Sequence, residues 1–257
     1  MTGPRPAVVV LVAGTGTDVG KTWVAARLLE TWRVAGLSVA ARKPAQSFAE
    51  GAGPTDAEVL GAASGEEPAT VCRPGRSYRV PLAPPMAADA LGLPPPTLAD
   101  LVGELAWPPA GTDVGLVEMA GGVRSPQADD GDTTDMVRAI GPDGVVLVAD
   151  AGLGTVNAVR LSVRALTDVR RDGRPPLVPV VVLNRFDASS DLHRRNLAWL
   201  RDRDGACVLP ATPDGLGELA RRTARERPDG TTRERPDGTA RERPDGTTRE
   251  RPDGTPP

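Results

Sequence analysis

The run Gly14-Thr15-Gly16-Thr17-Asp18-Val19-Gly20-Lys21-Thr22 constrains this chain more than any other feature. It follows an apolar, largely β-branched stretch, Ala7 to Val12, of the kind that forms a strand buried on both faces. It leads into Val24 to Leu29, which has helical character. In a strand, glycine loop and helix arranged in this way, backbone N–H groups converge on phosphate oxygens and the helix N-terminus adds its positive dipole. The ending Gly20-Lys21-Thr22 distributes the roles: Lys21 reaches the β- and γ-phosphates, and the Thr22 hydroxyl ligates Mg2+. Thr15 stands where the strict pattern G-x-x-x-x-G-K-[ST] has its first glycine, so the loop is a variant of it. The bland alternative is a glycine-rich turn that merely joins a strand to a helix.

Further short apolar runs recur at Leu37 to Ala41, Val114 to Glu118, Val145 to Ala149 and Val178 to Leu183, with helix-compatible stretches between several of them. This alternation predicts an α/β fold of the P-loop NTPase kind: a mainly parallel sheet with helices on both faces and ligands at the C-terminal edge of the strands. Pro68 to Pro96 is proline-rich and reads as an irregular excursion with one short helix around Ala87 to Leu91. After Thr212 the chain offers only polar sequence. From Arg225 it becomes four copies of Arg-Glu-Arg-Pro-Asp-Gly-Thr-x, charge-neutral and without a large apolar residue. The expected organisation is one ATP-binding domain over residues 1–224 and a disordered tail over residues 225–257.

Composition excludes several partners. With 31 basic against 34 acidic residues and a net charge of -3, there is no electrostatic footprint for nucleic acid or an anionic membrane. The apolar stretch Ala7 to Ala13 is too short to span a bilayer, and a cytoplasmic location is expected. Cys72 and Cys207 lack metal-site spacing and read as packing residues, and the single histidine, His193, reads as a surface residue.

Three polar residues lie where a phosphate loop needs help. Lys43, in Arg42-Lys43-Pro44-Ala45-Gln46-Ser47, follows the second apolar run and could neutralise a transferring phosphoryl group, or be a solvated loop residue. Glu118 ends the run Leu116-Val117-Glu118 beside Gly121-Gly122, the place for a second metal ligand. Asp56 is a third oxygen donor or the N-cap of a helix over Ala57 to Ala63.

In order and spacing, the loop, Lys43-Pro44 with Ser47, Asp56, Glu118-Met119-Ala120-Gly121-Gly122, Gly152-Leu153-Gly154-Thr155-Val156-Asn157 and Asn184 resemble the dethiobiotin synthetase family. The resemblance covers about Ala7 to Thr212. It implies a cyclo-ligase that takes 7,8-diaminononanoate, CO2 and Mg-ATP and forms a cyclic urea. The route runs through a carbamate and a carbamic-phosphoric anhydride, in biotin biosynthesis. Lys21 and Lys43 would then be the catalytic charges, and Thr22, Asp56 and Glu118 the Mg2+ ligands. ATP would lie along Thr17, Asp18, Val19, Gly20, Lys21, Thr22, Trp23, Asp56 and Glu118 to Gly121 (Met119, Ala120), with Asn184, Arg185, Pro210, Ala211 and Thr212 around the adenine. Ser47 would contact the diamine or its carbamate. Gly154, Thr155, Val156 and Asn157 would grip the substrate carboxylate across a homodimer.

Departures from the family pattern are Phe48 and Met119 in place of glycines, both adding bulk at the expected site, Ala158 in place of a frequent histidine, and the segment Arg124 to Gln127 with the acidic run Asp129-Asp130-Gly131-Asp132. Other readings remain: a diverged relative acting on another amine or carboxylate, a nucleotide-binding switch protein, or a cobyrinate-type amidoligase. A switch ATPase of this class carries a lysine at the position of Gly16, and an amidoligase adds a glutaminase domain; this sequence has neither.

Overall fold

The computed structural model describes residues 3–170, 173 and 175–225. The repeat tail expected after Arg225 lies outside the described residues. The chain opens with β1 (Val8–Gly14), α1 (Lys21–Val34), β2 (Val39–Arg42) and a two-residue β3 (Gln46–Ser47). Helix α2 (Asp56–Ser64) comes next; the excursion expected over Pro68 to Pro96 holds α3 (Pro68–Val71), β4 (Ser77–Tyr78) and α4 (Pro84–Ala90), and α5 (Leu98–Gly103) follows it. Next come β5 (Val114–Glu118), the small pair β6 (Pro126–Ala128) and β7 (Gly131–Asp132), α6 (Thr133–Ile140) and β8 (Gly144–Asp150). The last elements are α7 (Thr155–Thr167), β9 (Val180–Asn184), α8 (Asp191–Asp202), β10 (Val208–Pro210) and α9 (Pro213–Arg225).

Six of these strands form one parallel sheet in the order β10-β9-β8-β1-β5-β2. Every residue of the central β1 is buried. Val9, Leu11 and Ala13 face a core closed by α4 to α8, while Val8, Val10 and Val12 face α1, α2 and α9. That explains why the strand reads as an unbroken apolar run: covered on both faces, it has no polar side to alternate with. The chain leaves β1 toward β2, returns through β5 beside β1, and then crosses to β8 on the other side. The strand order therefore reverses around β1, the position at which open α/β sheets bind ligands.

The excursion is more ordered than its proline content predicts. Prolines open α3, the single turn Pro74–Arg76 and α4, where a missing N–H costs nothing, and β4 pairs in parallel with β3. The polar stretch expected after Thr212 instead begins with α9, whose Leu216, Leu219 and Ala220 are buried, and Trp32 Nε1 donates to Ala220 O at 3.0 Å. The acidic run is spent on two helix starts. Asp130 Oδ1 accepts from Leu98 N at 2.7 Å, and Asp132 caps α6, accepting from Thr134 N at 2.7 Å. His193 is half-buried, its Nδ1 accepting from Asp187 N at 3.0 Å. Among the described residues no helix is long and apolar enough to cross a membrane.

Candidate active site

The loop between β1 and α1 curls back over itself, with Asp18 at φ 56° and Gly20 at φ 88°. Gly20 is required twice: its φ is left-handed, and a Cβ there would collide with the Asn184 amide. That amide donates from Nδ2 to Val19 O at 3.0 Å, so the end of β9 braces the loop. Arg185 adds a second brace, donating to Asp18 O at 2.7 Å and pairing with Asp150 at 3.0 Å. Lys21 Nζ donates to Gly16 O at 2.9 Å, crossing the loop it follows. Burial, together with the neighbouring Lys43 charge, lowers the Lys21 ammonium to about 8 against the pull of Glu118 and Asp56.

Lys43 is no solvated loop residue: it is 2% exposed. The outer edge of β2 is held by Lys43 N donating to Val71 O at 2.8 Å, Ala41 N to Glu66 Oε2 at 2.7 Å, and the Arg42–Glu66 ion pair at 2.7 Å. From that fixed backbone the side chain reaches inward, placing Nζ 2.7 Å from Asp56 Oδ2 and 2.7 Å from Glu118 Oε1. Thr22 Oγ1 joins the same pair of carboxylates, 2.7 Å from Asp56 Oδ1 and 2.9 Å from Glu118 Oε1. Burial opposes the Lys43 charge, but Glu118 and Asp56 overcome it and hold the ammonium protonated above its usual range. Burial likewise works against Asp56 until Lys43 and Thr22 draw its carboxyl below the usual carboxylate range; the Glu118 carboxyl, wholly buried, is pushed up.

The N-cap reading of Asp56 is corrected. Thr55 caps α2, its Oγ1 accepting from Glu58 N at 3.3 Å, and Asp56 is the first helical residue with its carboxylate free for Thr22 and Lys43. Thr22, Asp56 and Glu118 offer only oxygen, the donor set of a hard divalent cation. Glu118 Oε2 is buried without a hydrogen-bond partner, a lone pair that such an ion would use. These residues therefore fit Mg2+.

A cavity of about 820 Å³ opens above this cluster. The structure brings together there Thr17, Asp18, Gly20, Lys21, Thr22, Lys43, Ser47, Asp56, Glu118, Ala120, Gly121 and Arg185 from the expected set. Phe48 lines it too, but Met119 does not: its side chain is fully buried in the core, so the bulk expected beside the phosphates lies behind the strand. Val19 is buried beneath the loop, and Trp23 is 46% exposed on α1, away from the cavity lining. Pro210 ends β10 beside β9 and Ala211 and Thr212 follow it, with Ala211 N donating to Leu183 O at 2.9 Å; none of the three lines the cavity. Gly154 caps α7, Thr155, Val156 and Asn157 form its first turn, and none of the four lines the cavity.

Two glutamines were missed. Gln46 accepts from Ala57 N at 2.9 Å and donates to Ser77 Oγ at 2.8 Å, fixing the turn of α2 that carries Asp56. Gln127 clamps Ala120 through both its N–H, at 3.0 Å, and its carbonyl, at 2.7 Å, fixing the loop after Glu118. Both sit inside segments that carry other polar site residues, but nothing in an isolated glutamine announces a buried bridge.

Fold, loop and cluster define a nucleotide-binding enzyme of the P-loop α/β class. Residues 9–213 match the family model described as an AAA domain. The ATP-dependent dethiobiotin synthetase BioD of Rhodococcus jostii (strain RHA1) is 38% identical over 213 residues, which is 82% of this chain and 89% of that one. The protein of the same name from Anaeromyxobacter dehalogenans (strain 2CP-C) is 39% identical over 218 residues, covering 83% and 92%. That from Streptomyces coelicolor is 36% identical over 219 residues, covering 82% and 86%. Among solved structures, the signal recognition particle receptor FtsY of Elizabethkingia anophelis overlaps 87% of this chain and 67% of its own at 15% identity, with a TM-score of 0.49, too loose to bear on function. The chain belongs to the dethiobiotin synthetase family, as a diverged member.

Proposed function

We propose that this protein is an ATP-dependent dethiobiotin synthetase that closes a cyclic urea on 7,8-diaminononanoate. The observation that carries the reading is the Lys43–Glu118–Asp56–Thr22 cluster, built on buried Lys43 and Glu118 and joined in one cavity to the phosphate loop and to Ser47. One substrate amine adds CO2 and releases a proton, giving a carbamate that Ser47 would orient. A carbamate oxygen then takes the γ-phosphoryl group, ADP leaves, and the second amine attacks the carbamoyl carbon. The C–O bond to phosphate breaks as the second C–N bond forms, and the amine proton departs with phosphate. Lys21 and Lys43, both on the cavity lining, would meet the negative charge that gathers on the transferring group, and charge placement is what such a transfer needs most. Thr22, Asp56 and Glu118 would hold Mg2+, which would supply charge neutralisation for the phosphates. The first turn of α7 from a second copy would bind the substrate carboxylate, making the working unit a homodimer.

Phe48 on the cavity wall favours a second reading, in which the same ATP chemistry serves a different amine. The deciding assay is ADP release with Mg-ATP and bicarbonate, with and without 7,8-diaminononanoate, and mass detection of dethiobiotin. Diamine-dependent ADP release is expected, with Lys43→Ala lowering it by about 10²–10³-fold. ATP binding with no response to the diamine would leave the nucleotide site standing and remove the biotin role.

A further inference from the structure

The carboxylates of Asp56 and Glu118 share one ammonium and one hydroxyl. Two carboxyl groups face a single ammonium at contact distance. The Thr22 hydroxyl has one proton for two acceptors, and Glu118 Oε2 has no partner. Lys43 Nζ, 2.7 Å from an oxygen of each carboxylate, stands where an ion shared by both would stand. Magnesium binds oxygen at about 2.0–2.1 Å, so an ion joining the two carboxylates, through Glu118 Oε2 or through the oxygens that Lys43 holds, would crowd a second positive charge against the ammonium already bridging them. The two are alternative occupants.

We propose that Lys43 is a placeholder for the divalent cation: its ammonium holds Asp56 and Glu118 together until the ion arrives, then swings off them toward the phosphate end of the cavity. This rests on the Mg2+ role proposed above and adds to it an ordered exchange of charges. The movement is confined to the side chain, because the Val71 and Glu66 contacts fix the backbone of β2. The chemistry also calls for lysine. Of 31 basic residues only Lys21 and Lys43 are lysines, and both are here. A compact ammonium on a flexible stem can change partners, whereas a planar guanidinium locked to a carboxylate is suited to staying. The apparent affinity for the ion is reduced by the fraction of time Lys43 occupies the carboxylates. Nucleotide phosphates that draw the ammonium away restore it, so ion and nucleotide bind cooperatively.

The test is Mn2+ binding to the full chain without nucleotide or diamine, read from the free-ion electron paramagnetic resonance signal, for wild type, Lys43→Gln and Lys21→Gln. Lys43→Gln is expected to bind Mn2+ about tenfold more tightly or better, and Lys21→Gln, which removes the same charge from the same cavity but leaves the carboxylates occupied, to stay within about twofold of wild type. Equal affinity in Lys43→Gln and wild type overturns the exchange, as does equal tightening in Lys21→Gln, which would mean a general field effect. If Lys43→Gln does not fold, wild type carrying ¹³C-labelled lysine gives two ε-methylene signals. Saturating Mg2+ is expected to move that of Lys43 and leave that of Lys21; a stationary Lys43 signal overturns the proposal. No substrate enters either measurement, so the outcome is independent of whether the diamine reading holds.

Discussion

Phe48 and Met119 both put a large side chain where the family pattern has glycine, and the fold treats them oppositely. Met119 turns its side chain into the core and uses its N–H to continue the sheet, donating to Val12 O at 2.9 Å. Phe48 stays on the cavity wall, beside Ala49, Ala52, Pro81 and Leu82. That wall is the apolar half of a cavity whose other half is the loop and the charged cluster, so an aliphatic chain would lie against it. Removing the phenyl ring takes away apolar contact without touching a phosphate ligand. Phe48→Ala is therefore expected to raise KM for the diamine about tenfold while leaving kcat and the KM for ATP near their wild-type values. Steady-state kinetics with each substrate varied in turn decides it. An unchanged diamine KM would mean that the ring does not touch the substrate.

At the scale of elements, α2 links stability to the site. Its capping box is complete, with Thr55 Oγ1 accepting from Glu58 N at 3.3 Å and Glu58 Oε2 accepting from Thr55 N at 2.7 Å, and the residue directly after the cap is Asp56. Thr55→Ala is expected to lower unfolding stability by about 1 kcal/mol. Fraying of that first turn would also loosen Asp56, the proposed Mg2+ ligand, so the Mg2+ concentration for half-maximal ADP release should rise several-fold. Lost stability with an unaltered Mg2+ requirement would confine the cap to a folding role. The sequence made part of this legible. Val114–Glu118 and the strand before the loop stand out because doubly covered strands are continuous apolar runs, and Lys43 and Glu118 stand out as charges at the ends of such runs. Thr55 was hidden behind Asp56, since either residue type caps a helix. Strand β10 is three residues long, too short for any period. Helix α9 opens with Pro213-Asp214-Gly215-Leu216-Gly217, breakers that mask the spacing of Leu216, Leu219, Ala220 and Thr223 along one face. Gln46 acts on Ser77, 31 positions away, a relation that exists only after folding.

For the whole molecule, the question is where the folded body stops. Helix α9 lies against α1, with Leu216, Leu219, Ala220 and Thr223 buried and Gly215 so close to Pro210 O that a Cβ there would collide with it. Burying two leucines and an alanine is worth about 4–6 kcal/mol at the usual rate per apolar area. Stripping the helix away would also expose Trp32, now 1% exposed, and leave its Nε1 without the Ala220 carbonyl. The sum is comparable to the entire net stability of an ordinary domain. The repeats that follow carry no large apolar residue with which to add to that core. A chain ending at Arg225 is accordingly expected to keep the melting temperature and Mg-ATP affinity of the full protein, and a chain ending at Thr212 to be unfolded or aggregated at room temperature. Circular dichroism melting and ATP-binding calorimetry on both truncations separate the possibilities. Full stability in the shorter chain would mean that α9 is dispensable to the core, and weakened ATP binding in the longer one would mean that the repeats reach the site.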